Sequence, residues 1–308
     1  MTISVLINNY NYGRYLARAV ASVQAQTRLA DEIIVVDDGS TDDSLSIARA
    51  LASADPRVVV VSKANGGQLS AFHAGLAAAS GEIVCFLDAD DEYLPGYLQR
   101  LEQVYDQKKE IDFVYCVLEF LLADGSTRLS SDATESFDHG ISVFRTLVLG
   151  DWVGAPTSSL SARRRLLNKF LPCSLEPLWR MRADDVVVIG AAMSLGRKLF
   201  LAERHVRYHV HGDNHWFGVK LDRARLLREK LERRALVGHF GRDLILQLEG
   251  QADWLRWVLQ EFRAIPAPGR KDARIYARVM WRARGRWRWL WALRVHWAWF
   301  KHWARSRS

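Results

Sequence analysis

Apolar and polar positions in the first hundred residues alternate between two periods. ISVLIN (3–8) is a short unbroken apolar run, and EIIVVDDGS (32–40), RVVVVSK (57–63) and EIVCFLD (82–88) repeat it. Between these runs, GRYLARAVASVQAQT (13–27) puts Leu16, Val20 and Val23 at helical spacing. DDSLSIARALASA (42–54) and LSAFHAGLAAAS (69–80) also read as helices, the first capped by Ser40, Thr41 or Asp42 and the second stopped by Gly81. Strands that are apolar throughout, with helices between them, predict a mostly parallel sheet covered on both faces.

Further along, 97–108 is helical and DFVYCVLEFLL (112–122) is another strand, followed by a turn at ADGSTR. Residues 123–160 show no regular pattern. RRRLLNKF (163–170) and DVVVIGAAMSLG (185–196) read as helical, and KLFLAERHVRYHVHG (198–212) as extended. From about 221 the pattern is helical to the end, broken at IPAPG (265–269), and no internal repeat occurs. The expected organisation is an α/β unit over 1–216, divided into halves 1–91 and 92–216, and a helical C-terminal extension over 217–308.

Composition narrows the partners. The chain has 308 residues, 49% of them hydrophobic and 25% charged, which suits a folded protein. Its net charge is +8, which points to an anionic partner, and the excess is concentrated in the arginines from Arg263 onward. The three cysteines, Cys85, Cys116 and Cys173, have no CxxC spacing, so neither a disulfide framework nor a zinc site is expected and a reducing compartment is favoured. MTISVLINNYN does not read as a signal peptide. No apolar window of about 18 residues marks a transmembrane helix.

The candidate chemistry lies where the strands end. In an open parallel sheet, ligands bind at the carboxyl ends of the strands. Here the first strand runs into Asn8, Asn9 and Tyr10, the second into Asp37, Asp38, Gly39 and Ser40, and the fourth into Asp88, Asp90 and Asp91. Acids converging on one edge call for a cation, and Mg²⁺ or Mn²⁺ takes carboxylates together with substrate phosphates. The competing reading makes Asp88 and Asp90 turn and cap residues before YLPGYLQRL. Their place behind an apolar strand, near a second acidic strand end, favours the cation.

SVLINNYNYGRYLARAVASVQAQT, EIIVVDDGSTDDS, NGGQLSAFHAGLAAASGEIVCFLDADD, RADDVVV (182–188) and YHVHGDN (208–214) follow one another in an order that resembles a family-2 glycosyltransferase of the GT-A fold, over roughly residues 1–215. The resemblance implies a Rossmann-like nucleotide-diphospho-sugar transferase fold and an inverting transfer from a nucleotide-diphosphate sugar, a UDP-sugar above all. It implies that Asn9 and Tyr10 flank the nucleoside, that Asp37 and Asp38 contact the base, and that Asp88 faces the ribose or the metal. Asp90 would hold Mn²⁺ or Mg²⁺, with His211 near the metal and diphosphate. Asp185 would be the general base, with Asp184 in the position of the family's Glu. Lys63 and Gln68 become secondary nucleotide-binding candidates. A nucleoside diphosphate gains charge as it leaves, which a divalent ion offsets, and a hydroxyl nucleophile needs a base.

Other residues carry two readings each. Asn65-Gly66-Gly67-Gln68 is a turn, or a helix start with N–H groups aimed at an anion. His73 stands where the family commonly has Asn. His205, His209 and His215 read as structural. Trp152 is a stacking wall for an acceptor sugar or a core residue. Trp179 is a further acceptor candidate, and Arg180 or Arg182 meets an anionic acceptor or is a solvated charge. Seven of the twelve tryptophans lie in 281–303 among arginines, without gathering on one helix face. Residues 276–308 therefore suggest membrane contact, packing onto the α/β unit, or a partner surface, with membrane contact favoured. The partners expected are a nucleotide-sugar donor and a glycan or lipid-linked acceptor, in cell-surface or exopolysaccharide synthesis. The expected location is the cytoplasm or the inner face of the cell membrane. A nucleotidylyltransferase is the first alternative, weakened because NNYNYGRYL holds only one Gly. The second is a basic nucleic-acid-binding protein, for which no motif is present.

Overall fold

The structure is a computed structural model that describes residues 1–212, 214, 222–248, 254–265, 267–282 and 288–305. The expected boundary at 216–221 lies outside the described residues, except for its flank from 222, and so does His215.

Strands β1 (Ile3–Asn9), β2 (Glu32–Asp37), β3 (Val58–Ser62) and β4 (Ile83–Asp88) run parallel in the order β3-β2-β1-β4. Helices α1 (Gly13–Gln24), α2 (Ser44–Ala54) and α3 (Gln68–Ala78) connect them. Asp42 starts two helices at once: one carboxylate oxygen accepts from Gly13 N–H at 3.0 Å and the other from Ser44 N–H at 3.0 Å. Alternation along each strand divides the core between the faces. Ile3, Val5 and Ile7 of β1 join Leu16, Val20 and Val23 of α1 on one side, while Leu6 joins Leu69, Phe72 and Leu76 of α3 on the other.

The sheet continues through β5 (Glu92–Tyr93), β6 (Ile111–Leu121), β7 (Thr127–Leu129), β8 (Phe137–Gly140), β9 (Leu160–Arg163) and β10 (Arg197–His209), with α4 (Tyr97–Gln107) leading into β6. The region without a sequence pattern, 123–160, contributes β7, β8 and α5 (Val143–Leu149). These elements are too short to show a period. β9 sits between β4 and β6, antiparallel to both, just before the predicted helix RRRLLNKF (163–170), where no strand is expected. Its polar side chains hid it. Arg163, 3% exposed, donates to the backbone carbonyls of Ile111 at 2.9 Å and Tyr105 at 2.7 Å, and the Ser161 and Tyr105 hydroxyls lie 3.1 Å apart. Helix follows only as α6 (Arg164–Leu167), and α7 (Ala183–Ala192) precedes β10.

The C-terminal extension forms α8 (Arg223–Leu248), α9 (Trp254–Ala264), α10 (Arg270–Arg282) and α11 (Arg288–Arg305). These helices share one core with the sheet. Leu236, Phe240, Val258, Phe262, Tyr276 and Met280 belong to the same apolar cluster as Phe72, Phe86 and Val186. Glu261 of α9 anchors the junction. It is 2% exposed, and it accepts from Phe144 N–H at 2.8 Å, from Arg145 N–H and from Tyr276 O–H at 2.6 Å, so it caps α5 from another helix. Burial pushes its carboxyl up to about 7. Glu261→Ala strands two buried N–H donors and is expected to lower unfolding stability by about 1–3 kcal/mol. Urea denaturation measures this, and an unchanged midpoint would refute the anchoring role.

Candidate active site

Register sets the site. Asn9 pairs across from Asp37, Asn8 from Asp88 and Asp37 from Ser62, so the chain leaves the sheet at one height on successive strands. A cavity of about 460 Å³ opens there, walled by Asn8, Asp38, Gln68, Asp88, Asp90 and Arg182 among others. That volume suits a small-molecule ligand.

The three clustered acids have different tasks. Asp91 is 1% exposed, accepts from Ser158 Oγ at 2.5 Å and from His209 N–H at 3.1 Å, and does not line the cavity. It holds the loop to β10. Asp88 faces the cavity and accepts from Asn8 Nδ2 at 2.9 Å and Gln68 Nε2 at 3.2 Å. Neither bond brings positive charge, and burial, followed by the charge of Asp90, pushes Asp88 up to about 7. Asp90 lies at the cavity wall with His211 Nε2 at 3.0 Å and Asn214 Nδ2 at 3.3 Å from its Oδ2. The His211 ring stacks on Tyr15, centroids 4.7 Å apart.

Asp88 and Asp90 offer the carboxylate oxygens that a hard divalent ion takes. Among the described residues no group of three His, Cys, Asp or Glu is close enough to hold an ion alone. The donor set therefore suits an ion that also takes oxygens from water and a substrate phosphate. The Oδ1 atoms of Asn8 and Asn9 are buried without hydrogen-bond partners among the described residues, and both side chains line the cavity.

At the other end stands Asp38, 3% exposed. Its carboxylate takes Lys63 Nζ at 2.6 Å, Gly66 N–H at 2.9 Å, Gly67 N–H at 2.7 Å and Asn65 Nδ2 at 3.2 Å. The Asn-Gly-Gly turn does aim its N–H groups at an anion, and the anion is Asp38. Gly67 is required at this turn. Its φ is +93°, and a Cβ there would lie 2.5 Å from the backbone of Arg180. Gln68 then clips two parts of the site together: its Nε2 holds Asp88, and its Oε1 accepts from Ala183 N–H at 2.9 Å, capping α7.

The remaining predicted residues take these positions. Asn9, Tyr10, Asp38, Gln68, Asp88, Asp90 and Arg182 line the cavity. Asp37, 1% exposed, is set behind it, accepting from Asn9 Nδ2 at 3.1 Å and Ser40 N–H at 3.3 Å. Lys63 acts on Asp38 from outside the lining. Asp184 and Asp185 stand in the first turn of α7. Burial and then Asp185 push Asp184 up to about 6, and its charge in turn raises Asp88. Burial raises Asp185, and Arg233 opposes the rise. Trp179 is 5% exposed with Arg182 over its ring at 5.4 Å, and Trp152 carries Arg233 at 5.7 Å. Trp179 is buried and Trp152 half-buried against the apolar core. His73 braces the loop before α7, its ring bonded to Glu176 and to Cys173 N–H at 3.0 Å. His205 and His209 pair with Glu203 and Glu92. Sequence reasoning missed Tyr208 and Met181 in the lining, and Arg233 beside the acids. Tyr208 lay inside the quoted YHVHGDN; Arg233 lay in a helix with no motif.

The family model for glycosyl transferase family 2 matches residues 4–170. The chain belongs to this family. This glycosyltransferase is 39% identical over 219 residues to an uncharacterized glycosyltransferase of Nostoc sp., a match spanning 70% of the chain and 66% of that relative. It is 34% identical over 124 residues to the chondroitin synthase of Pasteurella multocida, spanning 40% of the chain but 13% of that much longer protein. Its fold is similar to that of S. aureus TarS 1–349 in complex with UDP-GlcNAc, with a TM-score of 0.54 at 18% identity, covering 98% of the chain and 89% of TarS 1–349.

Proposed function

We propose that the chain is an inverting, metal-assisted glycosyltransferase. It moves a sugar from a UDP-sugar to a hydroxyl of a glycan or lipid-linked acceptor in cell-surface polysaccharide synthesis. One observation carries this reading: a single cavity joins the Asp38 hub, taken as the nucleoside end, to Asp88, whose carboxyl is pushed up by burial, and Asp90, taken as the diphosphate end. The UDP-GlcNAc held by TarS and the polymer named for the Pasteurella relative support the donor and product classes.

In this reading Asn9, Tyr10 and the Asp38 hub shape the nucleoside end. Asp88 and Asp90, with His211, would hold a Mn²⁺ or Mg²⁺ ion, which would supply positive charge against that developing on the diphosphate. The acceptor oxygen attacks the anomeric carbon as its proton passes to Asp185, and the bond to the diphosphate oxygen breaks with its electron pair. A single displacement inverts the anomeric carbon. Asp184 supplies the local negative field beside Asp185.

The enzyme is proposed to work at the inner face of the cytoplasmic membrane. No helix among the described residues is long and apolar enough to cross one. On α11, however, Leu293, Trp297, Phe300 and Trp303 are exposed, and Lys301 lies 5.4 Å from the Trp297 ring centroid. Aromatic side chains beside a cation suit an anionic lipid surface.

Purified protein given UDP-, GDP- and dTDP-sugars is expected to release nucleoside diphosphate from one UDP-sugar with Mn²⁺ or Mg²⁺. EDTA or Asp90→Ala should cut that release at least a hundredfold while the melting temperature holds. Turnover that survives both changes would overturn the metal-assisted reading. Sedimentation with phosphatidylglycerol vesicles should fall severalfold in Trp297→Ala/Phe300→Ala, with neutral vesicles binding neither protein. Equal binding by both proteins would refute the lipid contact.

A further inference from the structure

The carboxylate assigned as base is held from outside the α/β unit. Arg233, on α8, donates its Nε to both oxygens of Asp185 at 3.0 Å each. Arg182, at the start of α7, lies 3.5 Å from Oδ2 of the same carboxylate. Two acids of α8 complete the array. Glu229 lies 3.2 Å from Arg182 and 3.9 Å from Arg233, and Glu232 pairs with Arg182. Each arginine rests on an indole, Arg233 on Trp152 and Arg182 on Trp179. One buried carboxylate thus meets two cations, each with its guanidinium over a tryptophan ring.

We propose that Arg233 is a positioning residue for the transfer, by which α8 keeps Asp185 ionised and oriented toward the acceptor hydroxyl. The inference rests on Asp185 being the base and adds a role for the helical extension.

The physical argument is one of opposing charges. Asp185 is 8% exposed, and Asp184 is its chain neighbour. Burial raises its carboxyl, and Arg233 is the foremost group drawing it back, ahead of Arg182, while Glu229 adds to the rise. A protonated Asp185 cannot accept the acceptor's proton. The contact also fixes geometry. Arg233 Nε lies 3.0 Å from each oxygen, so one N–H donor is shared between them and restrains rotation of the carboxylate. Asp184, Arg182, Glu229, Glu232 and Arg233 are the charged groups around Asp185 from α7 and α8.

The test is the pH profile of kcat for the wild type, Arg233→Gln, Arg233→Lys, Glu229→Gln and Asp185→Asn, with UDP affinity and melting temperature measured alongside. Asp185→Asn should be inactive at every pH. Arg233→Gln should move the acid limb up by about one pH unit or more, an activity loss of about tenfold below the limb that is recovered at high pH. UDP affinity should not change, and Arg233→Lys should return most of the limb. Glu229→Gln should move the limb the opposite way. An Arg233→Gln loss that is uniform in pH, or no loss, overturns the proposal. Should Arg233→Gln fail to fold, a Glu229→Gln limb that stays in place does the same. Activity in Asp185→Asn would instead remove the base assignment itself, a separate failure.

Discussion

The pairing of β1 with β2 on one side and β4 on the other is the constraint on which the site depends. It places Asn8 beside Asp88 and Asn9 beside Asp37 at the cavity. Acids near one another repel by an amount on the order of 4 kcal/mol at contact distance in a partly polar interior. Left free, each would turn to water. The strands are apolar and buried on both faces, so the register cannot slip without exposing that core. The carboxylates are therefore held where their charges add.

How the protein accommodates them separates structure from chemistry. Asp38 is neutralised internally by a lysine and two glycine-turn N–H groups, whereas Asp91, away from the cavity lining, takes only a serine hydroxyl and a backbone N–H while burial and then Asp90 push its carboxyl well up. Asp88 receives neutral donors, Asn8, Gln68 and Thr157. An acid left short of positive charge on a cavity wall suits a ligand that brings its own cation. Asp185 is the intermediate case, its charge balanced by arginines on mobile-length side chains rather than by backbone.

Much of this was legible in the sequence because it rests on local pattern. The apolar runs of β1 to β4, their acidic ends and the Asn-Gly-Gly turn each lie within a few consecutive residues. β9 was not legible, since Arg163 and Ser161 are buried by partners 47 to 58 positions away, which no local period reports. The Arg233–Asp185 pair spans 48 positions, and its arginine sits in a helix with no motif. Trp152 and Trp179 suggested sugar walls by residue type. Which face of each ring is covered depends on Arg233 and Arg182, and only the folded chain reveals it.

The most direct measurement of the central claim is calorimetric titration of UDP into the wild-type protein with and without Mn²⁺. The account predicts one site per chain whose affinity rises at least tenfold with the ion. Its rise should vanish in Asp90→Asn while the weak metal-free binding stays. No UDP binding under either condition would contradict the account, because the acid-tipped strand ends would then not form a nucleotide-sugar site.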